Sequence, residues 1–257
     1  MDARLRDEFL ALWSEFFGPA ELPICLYYRD TPAGPVPPRP AGGHACLIGQ
    51  LAAVRRGQDL CVNADALGCP GAKRYLGFTC ETMPNFEHFL SRGIPGKLEG
   101  ERYKKTPQVV LEAMKQATAF TAPAPYAVFK RWDKLETPDQ PQVVIFFATP
   151  DVLAGLFTLS GFPEADPYAV ITPFGAGCAT IAQYPYLEGA SDRPRSVIGM
   201  MDVSARPLVP PDVLSFATPM KKFAAMIADM RESFLVTASW AKVRHRIQSV
   251  AQKKTQD

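Results

Sequence analysis

Proline is the residue that most limits the architecture of this chain. The 257 residues include 25 prolines, which is about twice the usual frequency. Proline fixes its own φ angle and lacks a backbone N–H, so it is tolerated at helix starts, in turns and at sheet edges but not inside long regular elements. The sequence therefore predicts many short helices and strands joined by stiff turns.

Hydrophobic periodicity alternates between helical and strand-like along the chain. Leu5, Phe9 and Trp13 recur at helical spacing and predict an amphipathic opening helix. Further helices are predicted at residues 83–93 and 220–234, and the runs ICLYYRD and QVVIFFATP are typical of strands. Strands and helices interleave unevenly and no internal repeat is present. We therefore predict a single α+β domain over residues 1–257, with a mostly antiparallel or mixed sheet.

Composition and charge exclude several functional classes. The formal net charge is +2, so no overall field favours nucleic acid or an acidic membrane. No run approaches the roughly 18–20 apolar residues that cross a bilayer, and charges interrupt the opening helix where a signal peptide would be apolar. We expect a cytoplasmic protein with no membrane and no nucleic-acid partner. Thiols stay reduced in that compartment, so the six cysteines are predicted to be free, metal-binding or catalytic.

Cysteines mark the most informative segments. Residues 59–80, DLCVNADALGCPGAKRYLGFTC, hold three of the six. Within this stretch, Cys69 lies where a turn enters a predicted helix. Outside it, Cys46 is placed in the first turn of another predicted helix, and Cys178 lies in a glycine-rich turn. Helix N-termini lower the pKa of a thiol, and glycine lets the backbone approach a cluster closely. Side chains presented in this way favour a cysteine-centred site.

Several segments together resemble one known family: LPICLYYRD, CLIGQLAAVRRG, CPGAKRYLGF, GAGCA and SFATPM. The chain is similar to domain-of-unknown-function family 169, also called the ArCR family, of bacteria and archaea. The resemblance runs from the first helix to about Phe234, and residues 235–257 are predicted to be a basic helical extension. It implies that Cys46, Cys69 and Cys178 lie at the recurring cysteine positions of the family, and it confers no settled activity.

The leading hypothesis is an iron–sulfur protein with a 4Fe–4S cluster bound by Cys46, Cys61, Cys69 and Cys178. Such a protein acts in redox chemistry or in small-molecule transformation, with an electron-transfer partner or a small-molecule substrate. Without Cys61 in the shell, one iron would be open to substrate. The Cys-x-x-Cys spacing that is typical of ferredoxins and zinc ribbons does not occur. No nucleotide cofactor is indicated, and no catalytic residue is identified.

Five residues near these cysteines or at a strand end are candidate substrate contacts. His44 precedes Cys46 by two residues and is a candidate base or ligand. An arginine at a strand end clamps an anion through a forked hydrogen-bonding group. The five candidates are His44, Lys73, Arg74, Tyr75 and Arg195.

Two hypotheses from other functional classes stand beside the iron–sulfur protein. One is a metal-free binding or regulatory module that holds a small ligand in an apolar, arginine-rimmed pocket. The other is a thiol enzyme with Cys69 as nucleophile, activated by the following helix and by Lys73. The sequence leaves the substrate and the oligomeric state open.

Overall fold

The structure is a computed structural model that describes residues 1–39 and 45–254, with side chains as far as residue 252. The helices are α1 (Ala3–Phe17), α2 (Leu47–Arg55), α3 (Pro70–Tyr75), α4 (Phe86–Phe89), α5 (Pro107–Gln116), α6 (Pro150–Ser160), α7 (Tyr184–Glu188), α8 (Met220–Asp229) and α9 (Ala238–Lys254), and a π-helix covers Ala179–Gln183. Within the described residues, no helix combines the length and the apolar character that a bilayer crossing requires.

The strands of the described residues form one mixed sheet. They are β1 (Ile24–Arg29), β2 (Leu60–Val62), β3 (Tyr126–Arg131), β4 (Val143–Ala148), β5 (Val170–Ile171), β6 (Ser196–Gly199) and β7 (Leu214–Pro219). Their order is β2-β3-β1-β4-β7-β6-β5. Neighbouring strands are antiparallel except for β5 and β6, which are parallel. The predicted α+β class with a mixed sheet is confirmed.

Helices cover both faces of this sheet. On β1, Ile24, Leu26 and Tyr28 contribute to one core, whereas Cys25 and Tyr27 contribute to the other, because successive side chains of a strand point to opposite faces. The first, called here the α2 core, includes residues of α2, α3 and the π-helix. The second, the α1 core, includes residues of α1, α6, α8 and α9. Burial on both faces explains why β4 is a continuous apolar run instead of an alternating one.

One predicted helix is largely absent. The prediction covered residues 83–93, but only α4 forms there, which is a single turn. Asn85 adopts a left-handed φ of 59°, and the chain beyond α4 folds back through a bridge between Ile94 and Leu98. A short helix gains too few hydrogen bonds to offset its nucleation cost. The left-handed turn at Asn85 and the Ile94–Leu98 bridge therefore determine the local structure. The predicted helix at residues 220–234 likewise ends early, at Asp229.

A buried lysine at the edge of the α1 core joins three carboxylates. Lys130 Nζ lies 3.1 Å from Asp139 Oδ2, 3.3 Å from Glu136 Oε2 and 3.6 Å from Asp59 Oδ2. The Tyr27 hydroxyl donates to Asp139 Oδ1 at 2.5 Å, and the backbone N–H of Glu136 donates to Asp139 Oδ2 at 2.8 Å. Asp139 is thus satisfied on both oxygens, which is the condition for retaining a charge in a protein interior.

Candidate functional site

Three of the four predicted cluster ligands lie at the starts of helices on the same side of the sheet. Cys46 is the N-cap residue of α2 and Cys69 is the N-cap residue of α3. Cys178 immediately precedes the π-helix. Cys69 and Cys178 are buried in the α2 core, and the half-buried Cys46 packs against it. The fold therefore brings together side chains that are more than a hundred residues apart in sequence.

Burial keeps two of these thiols protonated. It raises the pKa of the Cys69 thiol, although the N–H groups of Ala72 and Gly71 that point at the sulfur act in the opposite direction. Burial also raises the pKa of the Cys178 thiol well above its usual value, and the neighbouring thiols of Cys46 and Cys69 raise it further. Cys178 therefore lies within electrostatic range of both Cys46 and Cys69 in the α2 core.

Two tyrosines lie beside the thiols. Burial raises the pKa of Tyr75 to about 12, and Tyr184, Cys178 and Asp202 are among the neighbours that raise it further. Burial also raises the pKa of Tyr184, whose hydroxyl donates to the carbonyl oxygen of Phe174 at 3.2 Å. Both phenols are therefore uncharged at neutral pH.

Met200 packs against Gly177, the residue before Cys178. It is fully buried and has a φ of 65°, a left-handed conformation that costs a residue with a side chain on the order of 1–3 kcal/mol. A Cβ on Gly177 would lie 3.1 Å from Met200 Sδ and 3.4 Å from Ile48 Cγ1, so glycine permits this close packing. Backbone strain and π-helices are both frequent at functional sites. We call Cys46, Cys69, Tyr75, Cys178 and Met200 together the thiol site.

Cys61 does not belong to the thiol site. It lies on β2 between Leu60 and Val62, which contribute to the α2 core, and it therefore faces the α1 core on the other side of the sheet. Burial raises the pKa of its thiol, and the backbone of Ala33 acts in the opposite direction. Only seven residues lie between Cys61 and Cys69, but the direction of a strand side chain places the two sulfurs on different faces.

The predicted iron–sulfur function is wrong. In the described part of the chain, no group of three or more His, Cys, Asp or Glu side chains is arranged to hold a metal ion. The physical reason for the misassignment is twofold. Cys61 lies across the sheet from the other predicted ligands Cys46, Cys69 and Cys178, and these three are neighbours without forming a coordinating arrangement.

Of the four candidate substrate contacts within the described residues, Tyr75 alone is part of the thiol site. Lys73 and Arg74 are half-buried on the same short helix, and Arg74 Nη1 donates a hydrogen bond to the carbonyl oxygen of Cys80. His44 falls outside the described residues.

Arg195 lies away from the thiol site. It precedes β6, whereas Met200 follows the same strand, and four extended residues span about 13 Å. Its Nη2 forms an ion pair with Glu188 Oε1 at 2.5 Å. The structure therefore does not bring this arginine to the cysteines.

Sequence reasoning did not single out Met200 or Tyr184. A methionine after a strand and a tyrosine before a proline carry no distinctive pattern, since their roles depend on a left-handed backbone and on burial. Asp202 lies two residues beyond Met200. Its Oδ2 accepts the Gly177 N–H at 3.1 Å, and its Oδ1 accepts the Ser204 hydroxyl at 2.8 Å.

Comparison with known proteins gives one match. The model of the DUF169 family, described as uncharacterised ArCR, matches residues 14–229. This range contains every residue of the thiol site. No curated protein and no solved structure matches the chain significantly.

Proposed function

The chain belongs to the DUF169 family of uncharacterised ArCR proteins, and from that premise we propose that it binds a small, uncharged organic molecule at the thiol site without a metal ion. The family description names no activity, so the proposal rests on the geometry of the residues. Its main support is that three cysteines and a methionine from four separate segments lie in or against the α2 core, where burial raises the pKa of the Cys69 and Cys178 thiols.

The charge state of the site determines the kind of ligand. Burial keeps the thiols of Cys69 and Cys178 and the phenol of Tyr75 neutral near pH 7. The carboxylate of Asp202 is hydrogen-bonded to the Gly177 backbone and to Ser204, so its charge is already stabilised by protein donors. A charged ligand would lose its hydration without gaining an opposite charge inside the site. An uncharged molecule avoids that cost.

The site combines a soft interior with a partly accessible edge. Met200 and Cys178 are buried, and sulfur is polarisable and adapts to irregular apolar shapes. Cys46, Tyr75 and Tyr184 are half-buried and form the edge nearest to solvent. A ligand entering between them would exchange water for sulfur and aromatic carbon, while the phenols supply hydrogen-bonding groups.

The thiol-enzyme hypothesis is less well supported. A cysteine nucleophile reacts as its thiolate, so a catalytic thiol requires a lowered pKa or an adjacent base. The pKa of the Cys69 thiol is raised, because burial outweighs the N–H donors of Ala72 and Gly71. Binding therefore fits the site better than covalent catalysis does.

Alkylation rates distinguish these two hypotheses. With the folded protein near neutral pH, we expect N-ethylmaleimide to modify the exposed Cys80 first and Cys69 and Cys178 at least about tenfold more slowly. Peptide mass spectrometry after timed quenching measures each rate. A Cys69 rate equal to or above that of Cys80 would contradict the binding proposal and favour the nucleophile.

Binding is tested directly with a blocked variant. Cys46→Trp places an indole at the half-buried edge of the thiol site, and the cysteine side chain makes no capping hydrogen bond that the change would remove. Ligand-observed NMR is recorded with matched sets of uncharged and anionic aromatic fragments. We expect hits mainly among the uncharged fragments, with affinity at least about tenfold weaker in the variant because the added ring occupies the site.

The matched control is Cys80→Trp, which adds the same ring at an exposed cysteine outside the thiol site. This variant should bind the fragments as the unmodified protein does, and thermal unfolding should show that both variants are folded. Fragments that bind Cys46→Trp normally, or hits drawn mainly from the anionic set, would refute the proposal.

A further inference from the structure

A cavity lies away from the thiol site, where β4 ends. It has a volume of about 410 Å³, within the range of small-molecule sites. Its walls come from β4, the start of α6, the segment between α1 and β1, the last residue of α2, the loop before β7 and the outer part of α9. Cys46 and Arg55 are at opposite ends of α2, which separates the cavity from the thiol site by about 14 Å along the helix axis. We call it the β4 cleft.

The lining of the β4 cleft is mainly apolar. Phe146, Phe147 and Val213 contribute from the cores of the protein, and Ile247 and Val250 contribute from α9. Val250 is 47% exposed, so one wall of the cleft reaches the surface. An apolar concavity that opens to water is the usual form of a site for a small organic molecule.

Both arginines at the rim are paired with carboxylates, and a third carboxylate, Asp212, also lines the cleft. Arg55 Nε lies 2.6 Å from Glu21 Oε1, and Arg55 Nη2 lies 2.8 Å from Glu21 Oε2. Arg246 Nη2 lies 3.0 Å from Asp151 Oδ1. Two-point arginine–carboxylate pairing fixes the geometry of both groups. Each arginine is therefore already matched by a carboxylate.

One of these arginines also covers an aromatic ring of the wall. Arg55 Cζ lies 4.6 Å from the centre of the Phe147 ring. This contact holds the guanidinium in place through a cation–π interaction, in addition to the ion pair with Glu21. Both rim arginines are thus held in ion pairs before any ligand enters.

From the volume, the apolar wall and the paired arginines of the rim, we propose that the β4 cleft is a second binding site, for an uncharged and largely apolar small molecule. To pair with an arginine, an anionic ligand would have to displace Glu21 from Arg55 or Asp151 from Arg246. An uncharged molecule leaves both ion pairs intact. The paired side chains still present hydrogen-bonding atoms to a polar substituent at one end of the ligand. This site is independent of the function proposed for the thiol site.

Two dyes of different charge test the proposal on the full chain. Nile red is uncharged and fluoresces in apolar surroundings, and anilinonaphthalene sulfonate is its anionic counterpart. Val250→Trp fills the cleft from its exposed wall, and Val250→Glu places a charge there. We expect Nile red to bind with one-to-one stoichiometry and both variants to weaken its binding at least tenfold, while the anionic dye binds more weakly than Nile red.

Two control variants make the result specific. Val109→Trp adds the same ring at a helical valine of similar exposure, 39%, outside the cleft, and it should bind Nile red normally. Cys46→Trp should also leave Nile red binding unchanged, because it alters only the thiol site. Normal binding by Val250→Trp, loss of binding in Cys46→Trp instead, or stronger binding of the anionic dye would each overturn the proposal.

Discussion

Replacing Lys130 by methionine is expected to lower the free energy of unfolding by about 3–5 kcal/mol. Methionine retains most of the buried stem of the lysine but removes the ammonium group that contacts three carboxylates. Asp139 is 1% exposed and would lose its cation while remaining out of contact with water. Burial raises the pKa of Asp139, but the Tyr27 hydroxyl, the Glu136 N–H and Lys130 outweigh burial and hold it below its usual range.

Urea unfolding near neutral pH measures this loss, provided that the slope of the transition stays constant. The matched control is Lys134→Met, at an exposed lysine of the same segment, which should change stability by no more than about 0.5 kcal/mol. The double variant with Asp139→Asn should recover part of the loss, because no unpaired charge remains. Equal midpoints for Lys130→Met and the unmodified protein would show that the cluster contributes nothing.

The ion pairs of Lys130 with its three carboxylates also predict a pH dependence of stability. Because the pKa of Asp139 is lower in the folded than in the unfolded chain, its contribution is present above the unfolded carboxyl pKa and is lost as pH falls through the folded value. Lys130→Met removes part of the cause of that lowering. The difference in free energy of unfolding between the unmodified protein and Lys130→Met should therefore narrow as pH falls below about 4. A difference that widened with acidification would contradict this assignment.

Gly77→Ala is expected to cost about 2–5 kcal/mol. Gly77 has a left-handed φ of +78°, and a Cβ there would collide with the backbone nitrogen of Ala122 and lie 2.9 Å from Phe120 Cε1. The Ala122 N–H donates to the Gly77 carbonyl oxygen at 2.8 Å, so the two segments cross at close range. Only glycine both adopts this left-handed conformation readily and leaves room for the backbone of Ala122.

Gly96→Ala separates these two causes. Gly96 has a similar φ of +70°, but a Cβ there meets nothing within 4 Å. Gly96→Ala should therefore lower the free energy of unfolding only by the conformational cost of about 1–2 kcal/mol. Unfolding in urea, measured in parallel for both variants, gives the difference that belongs to the close crossing. Equal losses at the two positions would mean that the crossing accommodates a methyl group.

Local pattern predicted much of the fold. The helical spacing in α1 and the apolar runs of β1 and β4 specify their own secondary structure, because each buries a continuous surface. The failed helix at residues 83–93 shows the limit of this reasoning. Its apolar residues suit a helix. The left-handed conformation of Asn85 and the Ile94–Leu98 bridge depend on tertiary contacts, however, and hydrophobic periodicity along the chain does not encode these contacts.

The candidate site was predictable only in part. Cysteines beside helix starts and glycines pointed to Cys46, Cys69 and Cys178, and the family resemblance pointed to the same three. The exclusion of Cys61 depends on the register of β2 against β3, where Cys61 pairs with Val128, and spacing along the chain does not contain that register. The strained Met200 is invisible for a similar reason, because its conformation is imposed by its surroundings.

The order of the strands has a consequence for association between copies of the chain. The outermost strands, β2 and β5, contain only three and two residues, while the six-residue strands β1, β3, β4 and β7 each lie between two neighbours. A long exposed edge offers a row of unpaired backbone groups to which another chain can add, and short edges limit that row. The most apolar strands are therefore shielded from the edge-to-edge pairing that begins aggregation.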